Sequence, residues 1–449
     1  MVTNWERLKR RVRDEFVQPY PIEGASPDQR RNMRWLWWDS LFACISVAFY
    51  GDFVNLFLLQ LGAKDFQIGL ISSATSAAML LGPLVGTWLV ERTRKRKLWV
   101  MLGSAWGFRI IFFILAGLPF ILNGAPMVTI FIVLYSLQSF ATSLGMPAWN
   151  SLLGDIVPLS LRGRFLGATL TLSFIARLGV VPLAGIIVQS LGSVGGYQMV
   201  WLLAGLTGMV ATYFYGRIKE PTSLEVESHG IRDALLGSFT VLGRDRRFFY
   251  FCLVSFVWNF GIMLAGPYFN VHQVQTLGFS VTTITYILTI AAVVAAILVR
   301  FAGGLVDRYG PVKLMLVSMA MIPIIPLMWL AGRTPVHIGI IQCLAEFAWS
   351  GSRVAATPLL LLLSPVEQRS RYFAAYNTMV SLALVLGPLP AGWIYSNYGF
   401  SINLVVSAAG RGLAAILFGV LVWRGGLGQL GAQPVTKPDA VEPDAVAEL

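Results

Sequence analysis

Apolar residues in this chain fall into long runs that are separated by short, polar and mostly basic stretches. A helix needs about 20 consecutive, predominantly apolar residues to cross a lipid bilayer. Twelve runs approach or exceed that length, so the pattern predicts twelve transmembrane helices. In chain order these spans are 36–60, 66–90, 98–122, 127–154, 165–190, 198–216, 248–275, 282–305, 312–331, 336–363, 371–395 and 401–423.

The polar stretches divide the twelve spans into two sets of six. The longest internal connection, 217–247, is polar and contains Pro221, and we interpret it as a cytoplasmic linker. It separates an N-terminal six-helix bundle, 36–216, from a C-terminal bundle, 248–424. Residues 1–35 form a basic segment that is either an interfacial helix on an anionic leaflet or a disordered tail. Residues 425–449 lose apolar periodicity and are expected to form a disordered cytoplasmic tail.

The two sets of spans also repeat each other in sequence. Leu61-Gly62 recurs 216 residues later as Leu277-Gly278, and Glu91-Arg92 recurs at the same offset as Asp307-Arg308. Pro158, Arg162 and Arg164 recur 207 residues later, as Pro365, Arg369 and Arg371. Parallel repeats of this size in a membrane protein are typical of transporters. The expected fold is therefore all-α, with two pseudo-symmetric six-helix bundles.

Composition agrees with a membrane protein. The chain is 56% hydrophobic and 12% charged, whereas soluble domains carry about 25% charged residues. The net charge of +12 does not indicate a nucleic-acid partner, because the basic residues lie in short loops on one side of the spans. Such an excess marks the cytoplasmic side, so both termini are predicted to be cytoplasmic in a bacterial plasma (inner) membrane.

Signatures of enzymes and cofactors are missing from the sequence. Cys44, Cys252 and Cys343 lie in separate predicted spans and form neither a disulfide framework nor a metal-ligand spacing. The chain has no phosphate-binding Gly-Lys-Ser/Thr loop. We therefore expect no catalytic residues, no bound metal and no cofactor.

A motif between spans eight and nine resembles a known family. Gly303, Leu305, Asp307, Arg308 and Gly310 match Gly-x-Leu-x-Asp-Arg-x-Gly. With the two six-span halves and the central linker, the chain resembles the major facilitator superfamily over about residues 35–424. The first-half copy is degenerate, with Glu91 as the acid and Arg94 in place of the second glycine. That departure leaves the tight turn uncertain but not the fold.

The resemblance implies a cytoplasmic gate. In the family, the motif acids face the positive N-termini of helices from the other half. This would place Glu91 near the span after Arg371, and Asp307 near the span after Arg164. Glu91, Arg92, Arg164, Gly303, Asp307, Arg308, Gly310 and Arg371 are therefore the expected gate residues. The alternative is that they only define loop geometry and topology.

Likeness to the drug/proton antiporter branch of that family is looser. The run Gly179 to Gly185 in span five resembles the Gly-Pro-rich motif of that branch, with Val181 in place of its central glycine. Antiporters typically keep an Arg in span four, where this chain has Gln138 and Asn150.

Charged residues inside predicted spans indicate function, because they are costly in a bilayer. Asp52 in span one is the leading proton-carrying candidate, with Asn55 on the same face, and Glu346 in span ten is the second. The alternative for Asp52 is a fixed partner for a neighbouring Arg or hydroxyl. Arg177 is an anion-binding or counter-ion candidate, and Arg353 lies on one stripe with Glu346 and Trp349.

Two further charged residues and several neutral ones complete the candidates. Asp39 is expected to face interfacial water or to pair with Arg34, and Arg109 is expected to be structural. The neutral residues that could line a substrate cavity, beside those already named, are Gln138, Asn150, Trp258, Asn259, Tyr268, Asn270, Tyr376 and Asn377.

The sequence thus predicts a secondary active transporter that moves a small organic solute by alternating access. Proton-coupled efflux is the preferred function. Proton-coupled nutrient uptake and a non-transporting sensor are the alternatives. The expected partners are the lipid bilayer, a small-molecule substrate and protons, with no nucleic acid, and the protein is expected to be a monomer.

Overall fold

The computed structural model describes residues 26–122, 124–220 and 240–424, with side chains except at 104–108, 159–160, 164, 193, 366 and 370. The described residues form helices and contain no β-strand. The helices are α1 (Pro27–Tyr50), α2 (Val54–Gln60), α3 (Asp65–Thr93), α4 (Arg96–Val100), α5 (Gly107–Gly117), α6 (Ala125–Ile156), α7 (Leu159–Leu191), α8 (Ser193–Gly216), α9 (Arg246–Ala265), α10 (Phe269–Gln275), α11 (Val281–Tyr309), α12 (Pro311–Met321), α13 (Ile324–Trp329), α14 (Pro335–Leu363), α15 (Arg369–Leu386) and α16 (Pro388–Arg424).

Each predicted span falls on one of these helices or on consecutive helices joined by a bend. Nine described helical segments are long and apolar enough to cross a membrane by length and composition. One of them, Arg371–Arg424, holds two predicted spans, and its backbone leaves the helical conformation at Gly399. The all-helical fold class is confirmed.

The first helix begins earlier than the apolar pattern indicates. α1 begins at Pro27, nine residues before the predicted span. The Ser26 hydroxyl accepts from the Gln29 N–H at 3.2 Å, and Gln29 Oε1 accepts from the Ser26 N–H at 3.0 Å. This reciprocal capping box satisfies two backbone N–H groups at the start of the helix. A pattern of apolar residues does not predict it.

The internal repeat is visible in the backbone. Gly62 and Gly278, 216 residues apart, have φ of 78° and 66°. Arg94 and Gly310, at the same offset, have φ of 55° and 81°. At the second offset, 207 residues, Gly192 and Gly399 have φ of 65° and 78°. Left-handed turns therefore recur at corresponding positions of the sequence repeat.

The chain divides into two compact units, which are not identical with the two sequence halves. The first unit comprises the described residues of Met1–Lys64, Ala74–Ile231 and Ser280–Thr285. The second comprises those of Asp65–Ser73, Arg232–Phe279 and Tyr286–Leu449. The first turns of α3 therefore belong to the second unit, and those of α11 belong to the first.

Within the first unit, α1 packs against α7 and α8, and α5 packs against α8. Trp201 on α8 is fully buried at the centre of an aromatic cluster. Its ring lies 5.9 Å from that of Phe57 and 5.7 Å from those of Phe112 and Phe131. This cluster holds the C-terminal half of the first span against its neighbours.

Within the second unit, α9 packs against α15 and α16, and α12 packs against α14. An aromatic cluster again lies beside the broken end of a span. The ring of Phe269 lies 4.6 Å from that of Trp329 and 5.8 Å from that of Phe400. Tyr268 stacks on Tyr395 with a ring separation of 4.6 Å.

Candidate functional site

Asp52 lies in a bend of the first span. α1 ends at Tyr50 and α2 begins at Val54, and the Phe53 N–H donates to the Tyr50 carbonyl at 3.0 Å, which tightens the chain between them. Phe53 is fully buried and anchors the bend. Arg177 Nη2 on α7 donates to both carboxylate oxygens of Asp52, at 2.8 Å and 3.1 Å.

The Asp52–Arg177 pair is only partly covered by protein. The side chain of Asp52 is 20% exposed and that of Arg177 is 39% exposed. Hydrogen bonds between a guanidinium and a carboxylate are stronger than those between neutral groups, so Arg177 fixes the position of the Asp52 side chain. The arginine partner was one of the two alternatives for Asp52, and it is compatible with proton binding.

The second unit contains a similar pair. Arg353 Nη1 donates to Glu346 Oε2 at 2.6 Å, two helical turns apart on α14. Glu346 is 18% exposed and Arg353 is 47% exposed. In both units the acid is the more covered partner and the guanidinium is the more exposed one.

A cavity of about 400 Å³ in the second unit collects five of the predicted substrate residues. Trp258 and Trp349 meet edge to face with ring centroids 6.1 Å apart. Tyr376 stacks on Phe251 at 5.6 Å. The other lining residues among those predicted are Asn259 and Arg353. The walls are therefore aromatic, with an amide and a guanidinium as the polar groups.

Other predicted residues of the second unit lie outside this cavity. Tyr268 is fully buried and donates to the Asp65 carbonyl at 3.0 Å. The turn Gly266–Tyr268 interrupts the helix between Asn259 and Asn270, so the regular helical spacing that would align them is lost. Asn377 is exposed on α15. The helix break therefore separates Asn270 from the helical face that carries Trp258 and Asn259.

In the first unit, the predicted polar residues are spread over several helices. Gln138 is buried and donates to Thr142 Oγ1 at 3.4 Å. Asn150 is exposed on α6, and Asn55 is half-buried on α2, three residues after Asp52.

The predicted gate residues lie at helix ends. Gly310 has a φ of 81° and precedes α12, so its left-handed turn explains the motif glycine. Asp307 is exposed in the last turn of α11, and Arg371 is exposed in the first turn of α15. The guanidinium of Arg92 lies 5.4 Å from the Trp88 ring. Gly303 lies within α11, Arg308 is exposed and Glu91 is half-buried. The side chain of Arg164 is not among those that the structure describes. The latch stays a prediction.

One basic residue near the first-half motif has a role that the charge pattern did not reveal. Arg96 is buried, and its Nη1 donates to Asp155 at 2.7 Å and to the Ser151 hydroxyl at 2.9 Å. Its Nε lies 3.6 Å from Glu220. Arg96 thus joins the end of α6 to the chain after α8. Asp155, an acid at a span end, was the only sequence signal for this network.

Sequence reasoning also missed a second cavity, which lies inside the first unit and has a volume of about 340 Å³. Asp39 and Arg109 both line it, and they are 9% and 4% exposed. Asp39 was expected to face interfacial water or to pair with Arg34, but neighbouring helices cover it, and no ion pair joins it to Arg34 among the described residues. In the sequence, the one indication of this cavity was that both charged residues lie inside predicted spans.

Comparison with known proteins identifies the family. The family model described as Major Facilitator Superfamily matches residues 41–349 and 251–442, which together span most of the chain. The chain belongs to the major facilitator superfamily. This membership makes it a multi-pass membrane transporter of a small molecule, and not an enzyme.

Two relatives of this superfamily member are named for drug efflux. It is 23% identical over 372 residues to the "Multi-drug resistance efflux pump PmrA homolog" of Lactococcus lactis, covering 80% of this chain and 87% of that one. It is 23% identical over 401 residues to the "Multidrug resistance protein MdtG" of Escherichia coli, covering 86% and 94%.

Solved structures of the superfamily share the fold at low identity. The nucleoside transporter NupG has a TM-score of 0.65 at 13% identity, covering 88% of this chain and 99% of that one. The D-xylose-proton symporter has a TM-score of 0.65 at 14% identity, covering 87% and 96%.

Proposed function

We propose that this protein exports a small organic solute in exchange for protons, by alternating access. The observation that carries the proposal is the pair of covered acids, Asp52 and Glu346, each bound to a more exposed arginine. Ionisable side chains inside membrane spans are costly and mark ion and proton pathways. Proton binding at either acid would leave a guanidinium without its counter-ion.

Arg353 links proton binding to the solute, because it lines the cavity of the second unit and pairs with Glu346. With Glu346 ionised, the pair is neutral and the aromatic walls suit an organic cation or a neutral aromatic compound. With Glu346 protonated, Arg353 becomes an uncompensated positive charge beside the cavity. Protons and organic cations would then compete for the protein, as antiport requires.

Export as the direction is supported by the two relatives named for multidrug resistance. Basic residues in the short loops on one side favour cytoplasmic termini in a bacterial plasma membrane. Since each unit has its own packed core, we propose a monomer as the working form.

The test uses inverted membrane vesicles that hold an acidic interior. A panel of lipophilic cations and neutral aromatic compounds is added, and the interior pH is followed by a fluorescent indicator. Export by antiport predicts compound-dependent proton release in the wild type, and its loss in Asp52→Asn or Glu346→Gln. Asp28→Asn is the matched control, because Asp28 pairs with Arg31 at an exposed position.

The outcomes separate the alternatives. Unchanged proton release in both Asp52→Asn and Glu346→Gln would remove these acids from the coupling. Proton movement in the same direction as the solute would replace export by uptake. Binding without any solute movement would favour the sensor.

A further inference from the structure

We propose that the cavity inside the first unit, lined by Asp39 and Arg109, is a second ligand site for a small zwitterionic organic molecule. In this site an ammonium group would lie beside Asp39 and a carboxylate beside Arg109. The binding itself needs no transport, but a role for this ligand as substrate rests on the proposed function.

The first argument is that the cavity wall holds polar atoms without partners. Nε and Nη1 of Arg109 are buried and donate to no acceptor among the described residues, and the Tyr215 hydroxyl likewise has no described hydrogen-bond partner. Arg109 is 4% exposed and Tyr215 is 2% exposed, and both line the cavity. A buried donor without an acceptor is costly, so the guanidinium of Arg109 is incompletely satisfied by the described residues around the cavity.

The second argument is charge. Asp39 and Arg109 lie within electrostatic range of each other, and no ion pair within 4.0 Å joins them among the described side chains. Asp39 also receives no hydrogen bond from a described residue. One carboxyl group and one guanidinium group thus line a shared space, and when both are ionised their charges sum to zero. A net anion or a net cation would satisfy one group and be repelled by the other, whereas a zwitterion satisfies both.

The third argument is the remaining wall. Trp149, Met146, Leu170, Val100 and Ala43 give the cavity an apolar side. Cys44 and Ser173 already contact each other, with Sγ and Oγ 3.0 Å apart. An aromatic or branched aliphatic group would therefore lie against the apolar side, while the charged end of the molecule reaches Asp39 and Arg109.

Three probes that share a phenyl ring and differ in charge test the proposal. They are L-phenylalanine, 3-phenylpropionate and 2-phenylethylamine. The reporter is Cys44, a residue of the cavity wall, in a Cys252→Ala/Cys343→Ala background of the full chain. Alkylation of Cys44 by a small maleimide is timed in purified protein without any ion gradient.

The proposal predicts that phenylalanine slows alkylation of Cys44 at least tenfold, at concentrations where the other two probes slow it less than twofold. Arg109→Gln and Asp39→Asn should each remove the protection by phenylalanine. Asp39→Asn should increase protection by phenylpropionate, because the repelling carboxylate is gone. Arg411→Gln is the matched control, since Arg411 is also buried with an unpartnered Nε but lines neither cavity described above.

Several results would overturn the proposal. Equal protection by phenylpropionate and phenylalanine would make the site an anion site. Absence of protection by all three probes would mean that water alone satisfies Arg109. Loss of protection in Arg411→Gln as well would assign the effect to folding. Because the assay uses no gradient, failure of proton-coupled export leaves its result intact.

Discussion

Arg94 shows how one residue can depart from a motif while the fold is kept. It adopts a φ of 55°, in the left-handed region, at the position that corresponds to Gly310 in the second half. A side chain in that region costs about 1–2 kcal/mol because Cβ approaches the next carbonyl oxygen. The turn after α3 therefore forms, at a local cost that glycine avoids after α11.

We expect Arg94→Gly to raise the free energy of unfolding by about 1 kcal/mol, because it removes this strain. Gly310→Ala should lower it by about 1–2 kcal/mol for the opposite reason. Thermal unfolding of the purified protein in detergent measures both. A destabilised Arg94→Gly protein would contradict the strain argument.

The Asp52–Arg177 pair makes a second prediction at the same scale. Arg177→Gln leaves a partly covered carboxylate without its counter-ion and should cost about 1–2 kcal/mol, less than a fully buried pair would because solvent screens it. The double variant Asp52→Asn/Arg177→Gln should recover part of that loss.

A double-mutant cycle in thermal unfolding measures the coupling energy. The control cycle uses Asp28 and Arg31, a pair at 2.7 Å whose side chains are 76% and 41% exposed, where the coupling should be close to zero. Equal coupling energies in both cycles would show that the partly covered position of the Asp52–Arg177 pair does not strengthen it relative to an exposed pair.

At the scale of elements, close helix packing depends on a few glycines. A Cβ on Gly86 of α3 would collide with the backbone carbonyl of Leu144 on α6. A Cβ on Gly82, one turn earlier, would meet the Ser143 hydroxyl and the Phe140 carbonyl. Small residues at such positions let helix backbones approach each other in membranes.

We expect Gly86→Ala to lower the free energy of unfolding by about 1–3 kcal/mol through overpacking against a backbone that cannot move aside. Gly179→Ala on α7 is the control, because a Cβ there meets no atom within 4 Å. The control should be neutral or stabilising by up to about 1 kcal/mol, since alanine favours helix. Melting temperatures in one detergent compare the two, and a tolerated Gly86→Ala would refute the close approach.

At the scale of the whole molecule, the expected gate can be tested through accessibility. If Asp307 stabilises a closed cytoplasmic side by its charge, Asp307→Asn should favour the open one by about 1 kcal/mol or less, about fivefold in population. A cysteine introduced at Ala356, a residue that lines the cavity in the second unit, reports the change through its alkylation rate from the cytoplasmic side. Asp307→Glu keeps the charge and is the control, and equal rates in all three proteins would leave the motif with a topological role.

The chain by itself determined the number and order of the apolar spans and the repeat between its halves. Spans must be predominantly apolar because polar and charged side chains are costly in lipid, so composition alone reveals them. The repeat aligns Arg94 with Gly310, and the loss of the glycine left the tight turn after α3 uncertain. That Arg94 forms the same turn was decided by the helices on either side of it.

Tertiary packing decided which polar residues share a space. Trp258, Asn259, Trp349, Arg353 and Tyr376 could be selected from the sequence, because polar and aromatic groups stand out inside apolar spans. Asp39 and Arg109 stand out equally, yet one helix does not show which face its neighbours cover. Only the packing of α1, α5, α6 and α8 buries them beside a common cavity, since burial is a property of several helices together.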